Sequence, residues 1–545
     1  MKDSIRRAFA LWTSLVLNAV VFTLLIAHLV FFLNPWQIVT WGDQLAVAGQ
    51  LLIVYAPAWI LLHLLGFTLI QFFSLKPLPI GILKPATLGH LLFCTHFTMG
   101  VVYFFNYLYQ SALLPEETQA LLLRTTLFLL VLILVGVIFL FAGPSFRYIL
   151  SSTLLLATLG LLALNSFSFL GHTISQRESN GLLPPRDSHP RRIRLILLNG
   201  LSQNLISTLI ADQKLLNFQH LEQHGVTGVF STFRPNHTPA LLQSLLTGQR
   251  PSHFSTRSSY RYKIAGCAHE FDLTPRYIFF RYTAKRHITT TFRRPRLSIE
   301  DHLADAYRHA GLGALSLPVP DIYPIYFPGQ ALLNPRFSRF FSETVQKPER
   351  RYDLIRKAFF LDEFIRQRLP TIKDSPLFSY ACVALPGIDT ACRFFYQYHL
   401  PRSLTGLQSE EINHYRWVLE RYAEYNDALL GNLINSTGSD ELLAVLSLYR
   451  YQPMPEWRRL LANILRETDT SVYKPAQSEG CFWLYEPAAL RQGYPAQNAS
   501  LLDLFPTFAY YAGFQLPAGM EGNVLRDIFT DSFLLNNPVD IQVQE

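Results

Sequence analysis

Five apolar stretches dominate the first 171 residues, at 8–33, 44–74, 81–110, 118–143 and 147–171, and short segments holding the few charges separate them. Each stretch reaches the ~20 residues that a helix needs to cross a hydrocarbon layer ~30 Å thick. One water-soluble core has no use for five such runs in succession, so 1–171 is predicted to be a bundle of five transmembrane helices. Charge inside the spans is almost absent, which argues against an ion-coupled transporter and leaves an anchor or a partner-docking surface.

The flanking cations give an orientation. Lys2, Arg6 and Arg7 precede the first span, Lys76 and Lys84 flank the second loop, and Arg147 lies in the fourth, whereas Asp43, Glu116 and Glu117 occupy the first and third. Positive charge on alternate loops places the N-terminus in the cytoplasm, and five spans then put everything after 171 on the other side. The first apolar run is too long, and too poor in small residues at its end, for a cleaved signal peptide. Residues 172–192, with Asn180-Gly181, Pro184-Pro185 and Pro190, have the composition of a linker with a basic end.

The remaining segment, 193–545, is long enough for one large domain. The formal net charge is +8, but acidic and basic residues are interleaved through this part, so no nucleic-acid partner is expected; an anionic membrane or an acidic glycan suits the balance better. Arg191, Arg192 and Arg194 follow the linker closely enough to meet lipid phosphates, or serve only to fix topology. Cys267, Cys382, Cys392 and Cys481 would lie in an oxidising compartment where two bridges can form, in any of three pairings.

Short apolar runs at 194–198, 225–230, 312–317 and 380–385 read as strands covered on both faces. Helical patterns lie at 201–215, 298–310, 349–369, 409–434 and 455–467. Alternation of this kind predicts an α/β domain with a mostly parallel sheet sandwiched by helices. Asn199, the turn after Phe230 and the turn after Leu385 should then converge at the carboxyl ends of the strands. Residues 257–293, dense in Tyr, Arg, Lys and His, read as a cap-like insertion over that cleft.

Ser231–Gly248 (STFRPNHTPALLQSLLTG) resembles the nucleophile segment of the alkaline phosphatase superfamily, in particular its type I phosphodiesterase/nucleotide pyrophosphatase and sulfatase-like branch. Thr238 stands nine residues before Thr247-Gly248, where the resemblance implies a nucleophile that is also a metal ligand. Leu317–Gly329 is similar to a Pro-rich loop of that branch, Leu385–Phe395 to a segment supplying an Asp and a His, and Leu502–Gly522 to its closing Asp-x-x-Pro-Thr element. The similarity runs from about 193 to 525, in family order.

The departures bear on chemistry. Two divalent cations ~4 Å apart need anionic oxygens and neutral imidazoles. The resemblance implies an Asp at Asn199, a His at Cys392, an Asp-His pair at Leu448-Tyr449 and a late His near Gly480–Leu484, yet His414 is the last histidine of the chain. No metal cofactor is therefore expected; the alternative is a single Zn or Mn ion on Asp389 and Cys392. Thr238 is left as a vestigial nucleophile position, and Thr238-Pro239 also reads as a helix N-cap followed by proline at N1.

Around it, Asn199, Arg234, His237, Asp389, Cys392, Arg393, Tyr449 and Arg450 are the pocket candidates. Inward-pointing Arg234, Arg393 and Arg450 would put guanidinium charge where metals are missing and hold a phosphate or sulfate without cleaving it; outward-pointing, they are surface charge. Five spans before an outer domain also resembles the architecture of envelope phosphoethanolamine and phosphoglycerol transferases, which implies a bacterial inner membrane and a periplasmic domain. Two functions follow. One is a noncatalytic pseudoenzyme, a scaffold, regulator or ligand-binding subunit in envelope glycan or lipid biogenesis, working in a membrane protein complex with a lipid headgroup or polysaccharide as ligand. The other is a phosphodiesterase, sulfatase or phosphoethanolamine-type transferase with Thr238 as nucleophile.

Overall fold

The computed structural model describes residues 2–35, 40–73, 86–168, 190–234, 236–254, 257–258, 260–267, 269–278, 289–293, 300–317, 350–374, 379–399, 409–455, 472–475, 478–516 and 520–538. The chain divides into two compact units, one of Met1–Glu178 with Ser252–Arg294, the other of Ser179–Pro251 with Pro295–Glu545. Most of the linker, the Pro-rich loop beyond Leu317 and the helical pattern at 455–467 lie outside the described residues.

The first unit holds α1 (Lys2–Leu33), α2 (Trp41–Phe73), α3 (Ala86–Gln110), α4 (Glu116–Phe141) and α5 (Pro144–Ser168). All five are long and apolar enough to cross a membrane. Apolar residues cover much of their surface, so specificity between them falls to sparse polar contacts. The Tyr103 hydroxyl of α3 donates to the Leu25 carbonyl of α1 at 2.7 Å, His96 Nε2 and Thr158 Oγ1 join α3 to α5 at 2.7 Å, and Asn165 Nδ2 of α5 donates to Thr125 Oγ1 of α4 at 3.1 Å.

The stretch 257–293, expected as a cap-like insertion, groups with the helices in this unit. Two strands, Tyr260–Ile264 and Thr289–Arg293, pair antiparallel. Carboxamides at the ends of α1 and α3 hold the backbone that follows the first of them. Asn34 Oδ1 accepts from Asp272 N and Leu273 N, both at 3.0 Å, while its Nδ2 donates to the Leu273 carbonyl at 2.9 Å. Asn106 does the same for Arg276, accepting from its N at 2.9 Å and donating to its carbonyl at 3.1 Å. Gln110 Nε2 donates to the Thr274 carbonyl at 3.2 Å, and the buried Arg257 guanidinium donates to the Leu113 carbonyl at 3.2 Å. An irregular segment has no ladder to satisfy its amides, and here side chains of the helices supply the partners.

In the second unit a seven-stranded sheet is built from β1 (Arg192–Leu197), β2 (Val226–Ser231), β3 (Ala314–Leu317), β4 (Tyr380–Ala384), β5 (Glu441–Ser447), β6 (Glu479–Tyr485) and β7 (Tyr494–Ser500), in the order β7-β2-β6-β5-β1-β4-β3. Strands β5, β1, β4 and β3 are parallel neighbours, β7 is parallel to β2, and β6 runs antiparallel to both β2 and β5. Strands β4 and β5 are buried along their whole length, as continuous apolar runs covered on both faces require.

Connecting helices are α6 (Gln203–Ala211), α7 (Leu216–His224), α8 (Thr238–Thr247), α9 (His302–His309), α10 (Arg350–Asp374), α11 (Pro386–His399), α12 (Ser409–Ser436), α13 (Leu501–Ala512) and α14 (Asp531–Asn536). The single helix expected over 201–215 ends at Ala211, and Gln213 turns the chain at a left-handed φ of 58° before α7 begins.

Candidate functional site

Six of the seven strands run in one direction, so their carboxyl ends share one edge of the sheet, and the amino end of the reversed β6 joins them there. The turns leaving β1, β2, β4 and β5 carry Asn199, Thr238, Asp389 and Tyr449. The convergence read from the sequence is therefore present in the fold.

Asn199 is buried, and its Oδ1 accepts from Leu448 N at 3.0 Å, tying the β1 turn to the β5 turn. Gly200 follows at φ +97°, donating to the Tyr449 carbonyl at 3.0 Å. A Cβ there would stand 3.2 Å from the Cβ of Cys392 and 3.3 Å from both the Asp389 Cα and the Tyr451 ring. Glycine satisfies both the turn and the close approach of α11.

Asp389, half-buried in the first turn of α11, receives two hydroxyls on one oxygen: Tyr449 and Tyr451 each donate to its Oδ1 at 3.0 Å. The Tyr449 ring in turn carries the Lys474 ammonium 3.2 Å from its centroid, and the same nitrogen donates to Thr238 Oγ1 at 3.1 Å. Lys474 also lies 5.6 Å from the Tyr451 ring. A chain of contacts thus runs from Asp389 through Tyr449 to Lys474 and on to Thr238, with the ammonium beside the Thr238 hydroxyl.

Thr238 is not the N-cap expected for it. His237 occupies that place with extended backbone, Thr238 is the first helical residue, and the helix ends at Gly248 in left-handed conformation. The hydroxyl of Thr238 is turned to Lys474. The loop before it is held by Asn236, whose Nδ2 donates to Ser478 Oγ at 3.1 Å beside the start of β6.

The three arginines do not assemble into one guanidinium cluster. Arg234 and Arg393 are exposed, the latter with its guanidinium 5.3 Å from the Phe394 ring, while Arg450 is half-buried and paired with Glu479 at 3.4 Å. Cys392 is fully buried, and burial together with the nearby Asp389 charge pushes its thiol well above the usual range. No cysteine is disulfide-bonded; Cys382, Cys392 and Cys481 are separately buried on β4, α11 and β6, so the two bridges considered from the sequence are not formed.

The donors do not fit the pair of divalent cations that the family resemblance implies. The Asn199 oxygen is committed to a backbone amide, Asp389 Oδ1 to two tyrosines, and Cys392 to the thiol form. An ammonium then adds like charge where a metal would sit. Among the described residues no three His, Cys, Asp or Glu side chains are grouped to hold a metal ion.

Behind α11 lies a second buried carboxyl group, unmarked by any motif. Asp362 of α10 accepts from Gly387 N at 3.1 Å and from the Tyr422 hydroxyl at 2.8 Å. Burial, with Glu363 adjacent, pushes its pKa up to about 8 against those hydrogen bonds. It fastens the first turn of α11 and so positions Asp389. Lys474 was equally hidden in the sequence: a lone lysine after the two-residue strand Val472–Tyr473, which pairs with Gln452–Pro453, has no spacing signal.

No family model matches this chain, and no curated protein matches it. Among solved structures, a phosphonate monoester hydrolase, SpPMH from Silicibacter pomeroyi, aligns at 16% identity over 62% of this chain and 76% of that one, with a TM-score of 0.35. Human ectonucleotide pyrophosphatase/phosphodiesterase 5 aligns at 10% identity over 63% of this chain and 100% of that one, again at 0.35. Likeness at this level carries nothing about activity.

Proposed function

We propose that this chain is a noncatalytic, membrane-anchored relative of the phosphodiesterase and sulfatase-like branch of the alkaline phosphatase superfamily, acting by binding rather than turnover. In this reading the five apolar helices span a bacterial inner membrane, the α/β unit is periplasmic, and the protein serves as a scaffold, regulator or ligand-binding subunit of a membrane complex in envelope glycan or lipid biogenesis. The observation that carries it is the Lys474 ammonium 3.1 Å from Thr238 Oγ1, a protein cation where the resemblance would place metal.

The same contact serves a second reading, a phosphodiesterase, sulfatase or phosphoethanolamine-type transferase using Thr238, because a lysine beside an alcohol can be a base beside a nucleophile. The Tyr449 ring 3.2 Å from the ammonium favours the first: a cation–π contact is made by the charged form, which has no lone pair to accept a proton.

The test is turnover and metal content of the full chain purified in mild detergent without chelator. Neither a chromogenic phosphodiester nor a sulfate ester should be consumed above the rate of the Thr238→Ala variant. Turnover lost in that variant, or a phosphoryl or sulfuryl adduct on Thr238 seen by mass spectrometry, would overturn the noncatalytic reading.

A further inference from the structure

We infer that the exposed face of α3, walled by Tyr277, is a groove for one anionic phospholipid, with an acyl chain along the helix and the phosphate beside Arg276. The site rests on the proposal above that α3 spans a bilayer. Whether the α/β unit turns over a substrate has no bearing on it.

A cavity of about 350 Å³ lies against α3, lined by Phe97, Thr98, Val101, Val102, Phe105 and Tyr277. Its volume falls within the about 300–1,000 Å³ of ligand pockets, and its lining, apolar but for one threonine and one tyrosine hydroxyl, suits hydrocarbon. Phe97, Val101, Phe105 and Tyr277 are exposed, so the cavity opens away from the packed side of the helix.

Tyr277 turns this helix face into a groove. Its ring lies 5.5 Å from that of Phe105, and its backbone holds a φ of +68°, which a bulky side chain rarely adopts. Both of its neighbours are fastened. Asn106 accepts from Arg276 N at 2.9 Å and donates to its carbonyl at 3.1 Å, while the Tyr55 hydroxyl of α2 donates to the Ile278 carbonyl at 3.2 Å. Unfavourable backbone held from both sides is characteristic of ligand clamps.

Length and charge name the occupant. From Phe97 to Phe105 the helix rises about 12 Å, most of the ~15 Å of hydrocarbon in one leaflet. Phe105 and Tyr109 are four residues apart and share a face of α3, and the Arg276 guanidinium stands 3.5 Å from the Tyr109 ring centroid. The cation is therefore one turn beyond the apolar groove, in a last turn that carries Tyr107 and Tyr109, the residue type of the membrane interface. A lipid with its chain in the groove would bring its phosphate to that level, where guanidinium is the matching group. A partner's apolar helix would fill the groove and leave this charge unmatched.

Native mass spectrometry of the full chain released from nanodiscs tests this, with phosphatidylglycerol or phosphatidylcholine of matched chains. A phosphatidylglycerol carrying a diazirine halfway along one chain maps the site. One phosphatidylglycerol should stay bound, and the diazirine should label 97–105 or Tyr277. Val101→Trp, which fills the groove, should weaken retention at least about tenfold, since lost burial of only two methylenes does that much. Arg276→Gln leaves the backbone contacts with Asn106 in place and should cancel the preference for phosphatidylglycerol.

Label spread evenly over the five helices, equal retention of the two lipids by wild type, or equal retention by wild type and Val101→Trp overturns the site. So does a copurifying protein, with no lipid held, that Val101→Trp displaces. Circular dichroism of the variants separates misfolding from lost affinity. Incorporation of the chain into nanodiscs reports the spanning of the helices by itself, so failure of that reading is distinct from failure of the groove.

Discussion

The Tyr449 hydroxyl donates to Oδ1 of Asp389 at 3.0 Å, across 60 positions of sequence. A tyrosine stands where the family resemblance places a metal-binding histidine, and it contacts the aspartate that the same resemblance places among the ligands.

Removing one donor from a partly buried carboxylate costs about 1–2 kcal/mol, and removing both costs more than the sum if the tyrosines share one oxygen as a unit. Tyr449→Phe and Tyr451→Phe should each lower the denaturation midpoint of the α/β unit, the double variant most. A double variant as stable as wild type would show that the hydroxyls do not hold Asp389 in solution.

Thr238→Ala should cost only about 0.5–1.5 kcal/mol, the loss of the hydrogen bond from Lys474, because Thr238 is not the helix cap. Complementation by the Ala variant at equal abundance is the expected cellular result. Null complementation with normal folding would assign Thr238 a chemical role.

Asp362 gives stability a pH dependence of definite sign. Its carboxyl, pushed up to about 8 by burial, stands above the ~3.9 of an unfolded aspartate, so the folded chain retains a proton that the unfolded chain releases between those values. Its contribution is full below about pH 4, falls as pH rises, and levels off above about pH 8. Asp362→Asn should flatten this slope in a denaturation series across that range; an unchanged slope would remove Asp362 as its source.

Gly387 has no room for a side chain. A Cβ would lie 1.6 Å from the Tyr422 hydroxyl oxygen and 2.3 Å from Asp362 Oδ2. Gly387→Ala must therefore displace the first turn of α11, at a cost of about 2 kcal/mol or more, and carry Asp389 with it. A lowered denaturation midpoint that Tyr422→Phe does not fully restore, because the ring carbon Cζ would still lie 2.1 Å from the added Cβ, is the confirming measurement; an unchanged midpoint would show that the turn has room.

Asn34→Ala would orphan the amides of Asp272 and Leu273, each worth about 1 kcal/mol or more when left without a partner, and would take one of two donors from the Leu273 carbonyl, the other being the Tyr262 hydroxyl. Cleavage at 269–278 under limited proteolysis should accelerate while the α/β unit stays resistant. Unchanged cleavage there would mean that the carboxamide does not secure this segment.

What the sequence made legible was set by composition and periodicity. Apolar length marked the five helices to within a few residues at most ends, and short continuous runs marked β1 to β4 and the side of the sheet on which Asn199, Thr238 and Asp389 meet. Direction and edges were harder. Strand β6 was visible as an apolar run, but nothing in Gly480–Leu484 says that it is antiparallel, and β7 (YPAQNAS) is a mostly polar strand at the end of the sheet order, with a proline and no alternating pattern.

The site failed to read out for a related reason. Motif positions showed what was missing, whereas Lys474, Tyr451 and Asp362 act through tertiary neighbours at separations of 236, 62 and 60 residues, as in Lys474–Thr238, Tyr451–Asp389 and Asp362–Tyr422. No local pattern encodes such pairs. The aromatic and basic composition of 257–293 suggested a binding cap, but the residues that decide its place are Asn34, Asn106 and Gln110, far upstream.

Because Ser252–Arg294 belongs with the helices, the chain passes between the two units three times. A water-soluble fragment started after the last apolar helix would keep that excursion with its own two-stranded ladder but lose the carboxamides of Asn34, Asn106 and Gln110 that hold the backbone at 272–276, leaving aromatic, basic polypeptide partly unsupported between α8 and α9. Such a fragment would tend to aggregate or be nicked for reasons unrelated to the sheet. Joining Pro251 to Pro295 through a short glycine-serine bridge is the natural way to release the α/β unit whole.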